Sequence, residues 1–254
     1  MAKLHKDWQP IDLTAVRSTR ADGTGRYRNR VYRIGLELEG GWNKLPAGVH
    51  LVRDGSVTFS EHIPHVGELV SPILSITNNS PSWWRNWIRI HYPHHVNATC
   101  GMHVHINFKT AFSYNRVMTA AYPATVVEEF RKWATAKHMP DSHPIWPRLA
   151  GKCRFCQHVF DADNQARSED KDHDQQRVGH RYTVINYCYG RYCTAECRLL
   201  PMMNTVDMAT EAIQELLDIT NAFLVALPFK REKKQQLDFT ADEGLERVRT
   251  QLFV

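Results

Sequence analysis

The sequence lacks an uninterrupted apolar run long enough to span a bilayer, although 43% of its 254 residues are hydrophobic. Its start, Met1 to Trp8, lacks the apolar core of a signal peptide. These two absences predict a protein without membrane segments and a cytoplasmic location. No internal repeat is visible. The net charge of +5 is too small and too dispersed for the dense basic cluster of a nucleic-acid module, so we expect no nucleic-acid partner.

Cysteine is scarce, with six residues in the chain. In a reducing compartment such thiols stay free or bind metal rather than form disulfides. Cys153 and Cys156 form a C-x-x-C pair that is followed by His158, and Cys193 or Cys197 could complete a set of ligands. The pair is a candidate for a structural Zn²⁺ site.

The length fits one domain with a modest insertion. We expect a loosely held, basic N-terminal arm over residues 1–30, which could contain one short helix, and the main domain over residues 31–227. Residues 140–179 are rich in charge, proline and histidine, which indicates an insertion that acts as a lid or a partner-binding loop. We expect residues 228–254 to form a tail with a short helix, because Thr240 and Glu243 have capping-box spacing.

Hydrophobic periodicity and turn residues predict the elements of the main domain. Strands are expected over residues 49–53, 56–59, 67–72 and 181–187, the first two joined by a turn at Asp54 and Gly55. Helices are expected over residues 82–90, over residues 113–137, where Pro123 either splits the helix or begins a second one, and from a cap at residues 204–207 to about 227. The tryptophans of the first helix are predicted to belong to the core.

An acidic strand is the most informative stretch. In the segment from Gly35 to Gly41, Glu37 and Glu39 would point to the same face of a β-strand. Two adjacent carboxylates repel each other, so this face requires a cation such as a divalent metal ion. The alternative is an edge strand whose acidic face is solvated.

Two further strands carry ionisable groups at alternate positions. His103 and His105 share one face of the first, and Glu196 and Arg198 share one face of the second. Glu68 lies between apolar residues in another predicted strand, where it is either a surface residue or a ligand. Together these strands predict a sheet with one face lining a polar, charged cavity.

The types of residue at this face indicate its chemistry. A His-x-His strand occurs in zinc, iron and manganese or magnesium sites, but here the candidate partners are carboxylates, which suit Mg²⁺ or Mn²⁺. Such ions commonly hold nucleotide phosphates. Arg198 beside Glu196, and Arg181 on the neighbouring strand, could neutralise a transferring phosphoryl group. The alternative for either arginine is a cross-sheet salt bridge.

Six short motifs follow one another in the order of a known family. They are E-x-E at Glu37 and Glu39, D-G-S at 54–56, E-L-V-S-P at 68–72, G-M-H-V-H at 101–105, R-Y-x-x-x-N at Arg181 to Asn186, and E-x-R at Glu196 and Arg198. Over residues 31–227 the chain thereby resembles the amidoligase family, carboxylate-amine ligases related to glutamine synthetase and glutamate-cysteine ligase. One departure is Cys197, which stands where an aromatic residue is expected.

The resemblance implies an α+β fold, with a glutamine-synthetase-like catalytic domain in which helices pack on the outer face of a curved antiparallel sheet. It also implies ATP and two divalent ions, Mg²⁺ or Mn²⁺. The implied metal ligands are Glu37, Glu39, Glu68, His103 and Glu196. Arg181 and Arg198 would face phosphate and, with Glu196, form the catalytic set. His105 and Asn186 would shape the ATP or substrate pocket.

The sequence therefore predicts an ATP-dependent ligase that joins a carboxylate substrate to an amine substrate through an acyl phosphate. Each substrate could be a small molecule, a peptide or a protein side chain. Two alternatives remain open at this point. One is a metal-dependent hydrolase or oxygenase centred on the His-x-His strand, and the other is a non-catalytic binding protein. Nothing in the sequence indicates an oligomeric state.

Overall fold

The computed structural model describes residues 9–21, 31–76, 82–158, 182–188 and 194–227. Several predictions lie outside these ranges. They concern Arg181, Cys193, the C-terminal tail and residues 159–179 of the predicted insertion.

A seven-stranded antiparallel sheet forms the centre of the described structure. Six strands follow the order β2-β3-β1-β5-β7-β6, and β4 pairs with β1. Because β1 lies inside the sheet, the alternative of an edge strand with a solvated acidic face is wrong. The strands are β1 Val31–Trp42, β2 Leu51–Val52, β3 His65–Val70, β4 Leu74–Ser75, β5 Met102–Phe108, β6 Ile185–Cys188 and β7 Thr194–Cys197.

Strand alternation divides the sheet into an apolar face and a polar face. On the apolar face, Leu36 and Leu38 of β1 and Met102 and Val104 of β5 are fully buried in the hydrophobic core. The intervening residues of the same strands carry the predicted ionisable groups. The alternation seen in the sequence therefore places those groups together on one surface.

Six helices are present among the described residues, and they share the core on the apolar face. The Tyr122 hydroxyl forms a 2.8 Å hydrogen bond with Thr220, which joins the two longest helices. The longest packs on β1 and begins where the Thr205 side chain accepts a hydrogen bond from the Met208 amide, as a helix N-cap does. The helices are α1 Thr14–Ala21, α2 Ser82–His91, α3 Ala111–Val117, α4 Ala121–Ala136, α5 Ile145–Leu149 and α6 Val206–Ala226.

The α+β expectation is confirmed as a mixed structure with an antiparallel sheet; likeness to glutamine synthetase stays a prediction. No helix in the described ranges has the length and apolar character needed to cross a membrane. Residues 9–21 are anchored, because Leu13 is fully buried and the Ile11 amide donates to the Thr125 hydroxyl. The prediction of a loosely held arm therefore does not fit this part of it.

Residues 56–59 were predicted as a strand, and this is wrong. The turn itself forms, since the Ser56 amide donates to the Asp54 side chain at 2.7 Å. Beyond it, however, the Thr58 amide donates to the Thr99 hydroxyl and its carbonyl accepts from Asn97. These hydrogen bonds to another loop replace the strand pairing that a hairpin would need, and β2 shrinks to two residues.

Candidate functional site

Strand register brings the predicted residues side by side on the polar face. Glu37 lies opposite His103, Glu39 opposite Glu68, and His105 opposite Glu196. Asn186 of β6 also lies opposite Glu196 and therefore faces the same way.

Glu37 is the centre of this surface. One of its oxygens lies 3.0 Å from Nδ1 of His103, and the other lies 2.9 Å from Nε2 of His105. The second nitrogen of His105 contacts the Thr194 hydroxyl at 3.0 Å. One carboxylate thus fixes the orientation of both imidazoles of the His-x-His strand.

The electrostatics of the site favour the charged forms of Glu37 and His105. Burial alone would lower the pKa of His105, but the Glu37 carboxylate, helped by Glu196, raises it to about 9. Burial alone would raise the pKa of Glu37, but His105 and His103 hold it well below its ordinary value. At neutral pH, His105 is therefore an imidazolium beside an ionised Glu37.

A second group of carboxylates lies beside the first. Glu39 accepts a hydrogen bond from the Gly101 amide, and its other oxygen is 3.6 Å from Nε2 of His103. A Cβ at Gly101 would be 2.9 Å from that histidine nitrogen, so only glycine leaves room here. Burial raises the pKa of Glu68 to about 9, with further repulsion from the surrounding carboxylates of Glu37, Glu39, Asp54 and Glu196.

Glu196 forms the third corner of the site and is 4% exposed. One of its oxygens accepts from Nη1 of Arg198 and the other from the Asn186 amide at 2.7 Å. Burial would raise the pKa of this carboxyl, but Arg198 and His105 lower it. The Cys188 thiol also lies 3.8 Å from the carboxylate, a contact that the motifs did not predict.

Three groups of these side chains could each hold a metal ion, since one ligand atom from every member lies within 4.8 Å of the others. The groups share Glu37 or Glu68, and none contains both His103 and His105. Each offers at least two carboxylates, which is the ligand type that Mg²⁺ and Mn²⁺ prefer. The groups are Glu37, Glu68 and His103; Glu37, His105 and Glu196; and Glu39, Asp54 and Glu68.

A cleft opens beside these groups. Glu39, His103 and Arg198 line it, and Asp54 and Ser56 of the D-G-S motif join them. The sequence motifs assigned no role to the other lining residues, which are Thr99, Arg148, Phe155 and Tyr182. Two of these four belong to the predicted insertion, whose described part packs against the site. The only sequence signal for Arg148 is a charged residue within the apolar run I-W-P-R-L.

The C-x-x-C pair shows no zinc geometry among the described residues. None of the three candidate groups contains Cys153 or Cys156, and Cys193 lies outside the described ranges. Cys156 and Cys197 are fully buried, and burial raises the pKa of Cys197 to about 12. The thiol of Cys197 is therefore neutral and belongs to the core. Zinc binding stays a prediction.

The structure thus gathers eight predicted residues in one place, and Arg181 lies outside the described ranges. The eight are Glu37, Glu39, Glu68, His103, His105, Asn186, Glu196 and Arg198. Comparison of the chain with protein-family models, with curated proteins and with solved structures found no match.

Proposed function

We propose that the protein is an ATP-dependent carboxylate-amine ligase with a glutamine-synthetase-like catalytic domain. The observation that carries the proposal is the cluster of four glutamates and His103 on the polar face, with the Arg198 guanidinium bound to Glu196 at its edge. Phosphoryl transfer to a carboxylate requires cations to offset the charge of both reactants and a donor that stabilises the transferring group.

The donor set fits two Mg²⁺ or Mn²⁺ ions. Glu37, Glu39, Glu68, His103 and Glu196 would hold them. Bound cations would offset the carboxylate repulsion that, together with the larger effect of burial, raises the pKa of Glu68. When bound, such ions would offset the negative charge of the nucleotide phosphates. This fit rests on the ligand types and on the repulsion among the carboxylates.

The side chains of the chain would divide the remaining work. Glu37 orients both imidazoles, and Asn186 and Arg198 hold the two oxygens of Glu196. Arg198 would stabilise the phosphoryl group as it passes from ATP to the acid. The resulting acyl phosphate then loses inorganic phosphate when the amine attacks its carbonyl carbon, which forms the amide bond. His105 and Asn186 would shape the pocket for ATP or the acid.

The hydrolase or oxygenase alternative is less well supported. It requires both histidines on one ion, whereas each candidate group contains at most one of them. It also gives no role to Arg198 beside Glu196. The alternative of a non-catalytic binding protein does not explain why so many carboxylates share one buried surface.

A thermal-unfolding titration with ATP and Mg²⁺ or Mn²⁺ tests the proposal on the wild type and Glu37→Gln. A ligand at a hundred times its Kd adds about 2.7 kcal/mol to the free energy of unfolding. We expect ATP and metal together to raise the unfolding midpoint of the wild type, and to do so much less in Glu37→Gln. The control is Glu211→Gln, which removes a half-exposed carboxylate of α6.

Two results would contradict the proposal. ATP could leave the wild type unchanged while zinc or iron alone stabilises it, which would favour the histidine-centred alternative. Glu37→Gln could also respond to ATP and metal as strongly as Glu211→Gln does. If the proposal survives, release of inorganic phosphate with paired acids and amines identifies the substrates.

A further inference from the structure

Arg148 is a buried cation without a carboxylate partner in the described part of the chain. The residue is 4% exposed, lies on α5 and lines the cleft beside Glu39 and His103. Its Nη1 donates to the carbonyl oxygens of Arg198 at 2.9 Å and Leu200 at 3.3 Å. No Asp or Glu of the described ranges lies within ion-pair distance of its guanidinium.

Hydrogen bonds to two carbonyl groups do not offset the cost of burying a charged guanidinium. A buried charge without a counter-charge is costly, and neutral residues could fill the space between α5 and the end of β7. The guanidinium carries five N–H donors. Within the described structure, only Nη1 makes hydrogen bonds. The remaining donors are therefore available to an anion in the cleft.

Arg198 brings a second cation to the same cleft. Its Nη1 binds Glu196, and its Nε is buried without a hydrogen-bond partner among the described residues. The hydrogen bond from the Arg148 guanidinium to the Arg198 carbonyl holds the Arg148 side chain against the backbone of Arg198. Arg148 and Arg198 therefore both line this cleft, and each guanidinium carries the planar set of N–H donors that carboxylates and phosphates bind.

Aromatic rings close the side of the cleft. The Arg198 guanidinium lies 5.6 Å from the centre of the Tyr182 ring, and the Phe155 ring meets that of Tyr182 edge-on at 5.6 Å. Apolar rings beside the cleft lower the local dielectric, which strengthens an ion pair formed there. Ser56 lines it as well, and its hydroxyl can donate to an anionic oxygen.

We infer that Arg148 and Arg198 form an oxyanion subsite next to the metal ligands, closed by Phe155 and Tyr182. Its ligand is either the carboxylate of the acid substrate or the terminal phosphate of the nucleotide, since both present oxygens that match a guanidinium. The assignment of these two sources rests on the proposed ligase function. It gives the predicted insertion a role, because α5 supplies Arg148.

Titration calorimetry with inorganic phosphate in the presence of Mg²⁺ tests the subsite on the full chain. Arg148→Gln removes the charge but keeps an N–H donor for the two carbonyl groups. Arg148→Lys keeps the charge. Lys152→Gln removes an equal charge from an exposed residue of the same segment and serves as the control. We expect Arg148→Gln to weaken phosphate binding roughly tenfold or more, Arg148→Lys to recover part of it, and Lys152→Gln to match the wild type.

Titration with ATP and Mg²⁺ separates the two sources. Loss of phosphate affinity alone in Arg148→Gln assigns the subsite to the acid, and loss of both affinities assigns it to the terminal phosphate. A wild type that binds phosphate through Arg148 but does not bind ATP keeps the subsite and removes the ligase proposal. Unchanged phosphate affinity in Arg148→Gln, or an equal loss in Lys152→Gln, overturns the subsite.

A measurement on the wild type covers the case in which Arg148→Gln does not fold. The ¹⁵Nε resonance of Arg148, assigned with the Arg148→Lys variant, should shift as phosphate binds. A resonance that stays in place while phosphate binds elsewhere overturns the inference.

Discussion

The pKa of Glu68 shows how the environment of the site changes the protonation of a single residue. Its pKa is raised to about 9 in the fold, against 4.5 for an unperturbed glutamate, so the folded protein holds a proton that the unfolded chain has lost. The contribution of Glu68 to the free energy of unfolding therefore falls as pH rises from about 4.5 to about 9. Repulsion from neighbouring carboxylates contributes to the free-energy cost of ionising Glu68 in the folded protein.

Glu68→Gln should stabilise the metal-free protein because the amide cannot ionise. We expect the variant to match the wild type near pH 5 and to exceed it by about 1 to 3 kcal/mol near pH 8, as measured by urea unfolding in a chelator. With Mg²⁺ the order should reverse, because the wild type gains a ligand. Equal pH profiles for both proteins in the chelator would mean that Glu68 ionises freely.

At the same scale, strand alternation was enough to predict which residues face the site. The two-residue period of a β-strand alone predicts that five residues face the site: Glu37, Glu39, His103, His105 and Glu196. Which atoms contact one another depends on strand register, which the sequence does not encode locally. For that reason the double contact of Glu37 with both imidazoles could not be predicted. Arg148 was missed because its partners are carbonyl groups of residues about 50 positions away.

At the scale of an element, α2 shows how one helix places neighbouring tryptophans in opposite environments. Trp84 is 1% exposed and belongs to the core, whereas Trp83 is 68% exposed. Successive helical residues differ by about 100° around the axis, so both cannot face the core. The prediction that the tryptophans of this helix are core residues is confirmed for Trp84 and wrong for Trp83.

Two matched substitutions measure this asymmetry. Trp84→Ala should lower the free energy of unfolding by about 3 to 5 kcal/mol, because it leaves a large cavity. Trp83→Ala should change it by no more than about 0.5 kcal/mol. Chemical denaturation of both variants gives the comparison. Similar losses would place Trp83 in a contact that the described structure does not contain.

The helices were more predictable than the short strands. Helix α6 forms where its local sequence signals predict it. Thr205 is its N-cap, and its buried stripe includes Ile213, Leu216 and Phe223. Residues 56–59 have suitable strand residues, but their hydrogen bonds go to Asn97 and Thr99, about 40 positions away. Such partners are chosen by tertiary structure, so β propensity alone fails there.

At the scale of the whole molecule, Arg17 connects the N-terminal helix to the rest. Its guanidinium binds Glu129 of α4 at 2.8 Å and Glu215 of α6 at 2.6 Å, and Glu129 is 4% exposed. Arg17→Met should therefore cost about 1 to 3 kcal/mol, because it leaves a buried carboxylate without this partner. Urea unfolding provides the measurement.

Lys137→Met is the control, since Lys137 also bridges to α6 but through the exposed Glu211. Exposed ion pairs contribute little, so a change of no more than about 0.5 kcal/mol is expected. Equal effects of the two substitutions would show that the Arg17 contacts are as weak as a surface pair.

The order of the strands along the chain also determines when the site can form during translation. Glu37 belongs to the first strand of the sheet and Glu196 to the last, and β5 lies between them. A ribosome delivers the chain from its N-terminus, so the early strands can pair while β7 is still unmade. The complete ligand set exists only after Glu196 has left the exit tunnel. Stalled nascent chains of increasing length should therefore gain metal affinity late and abruptly. Metal binding would then report the last step of folding.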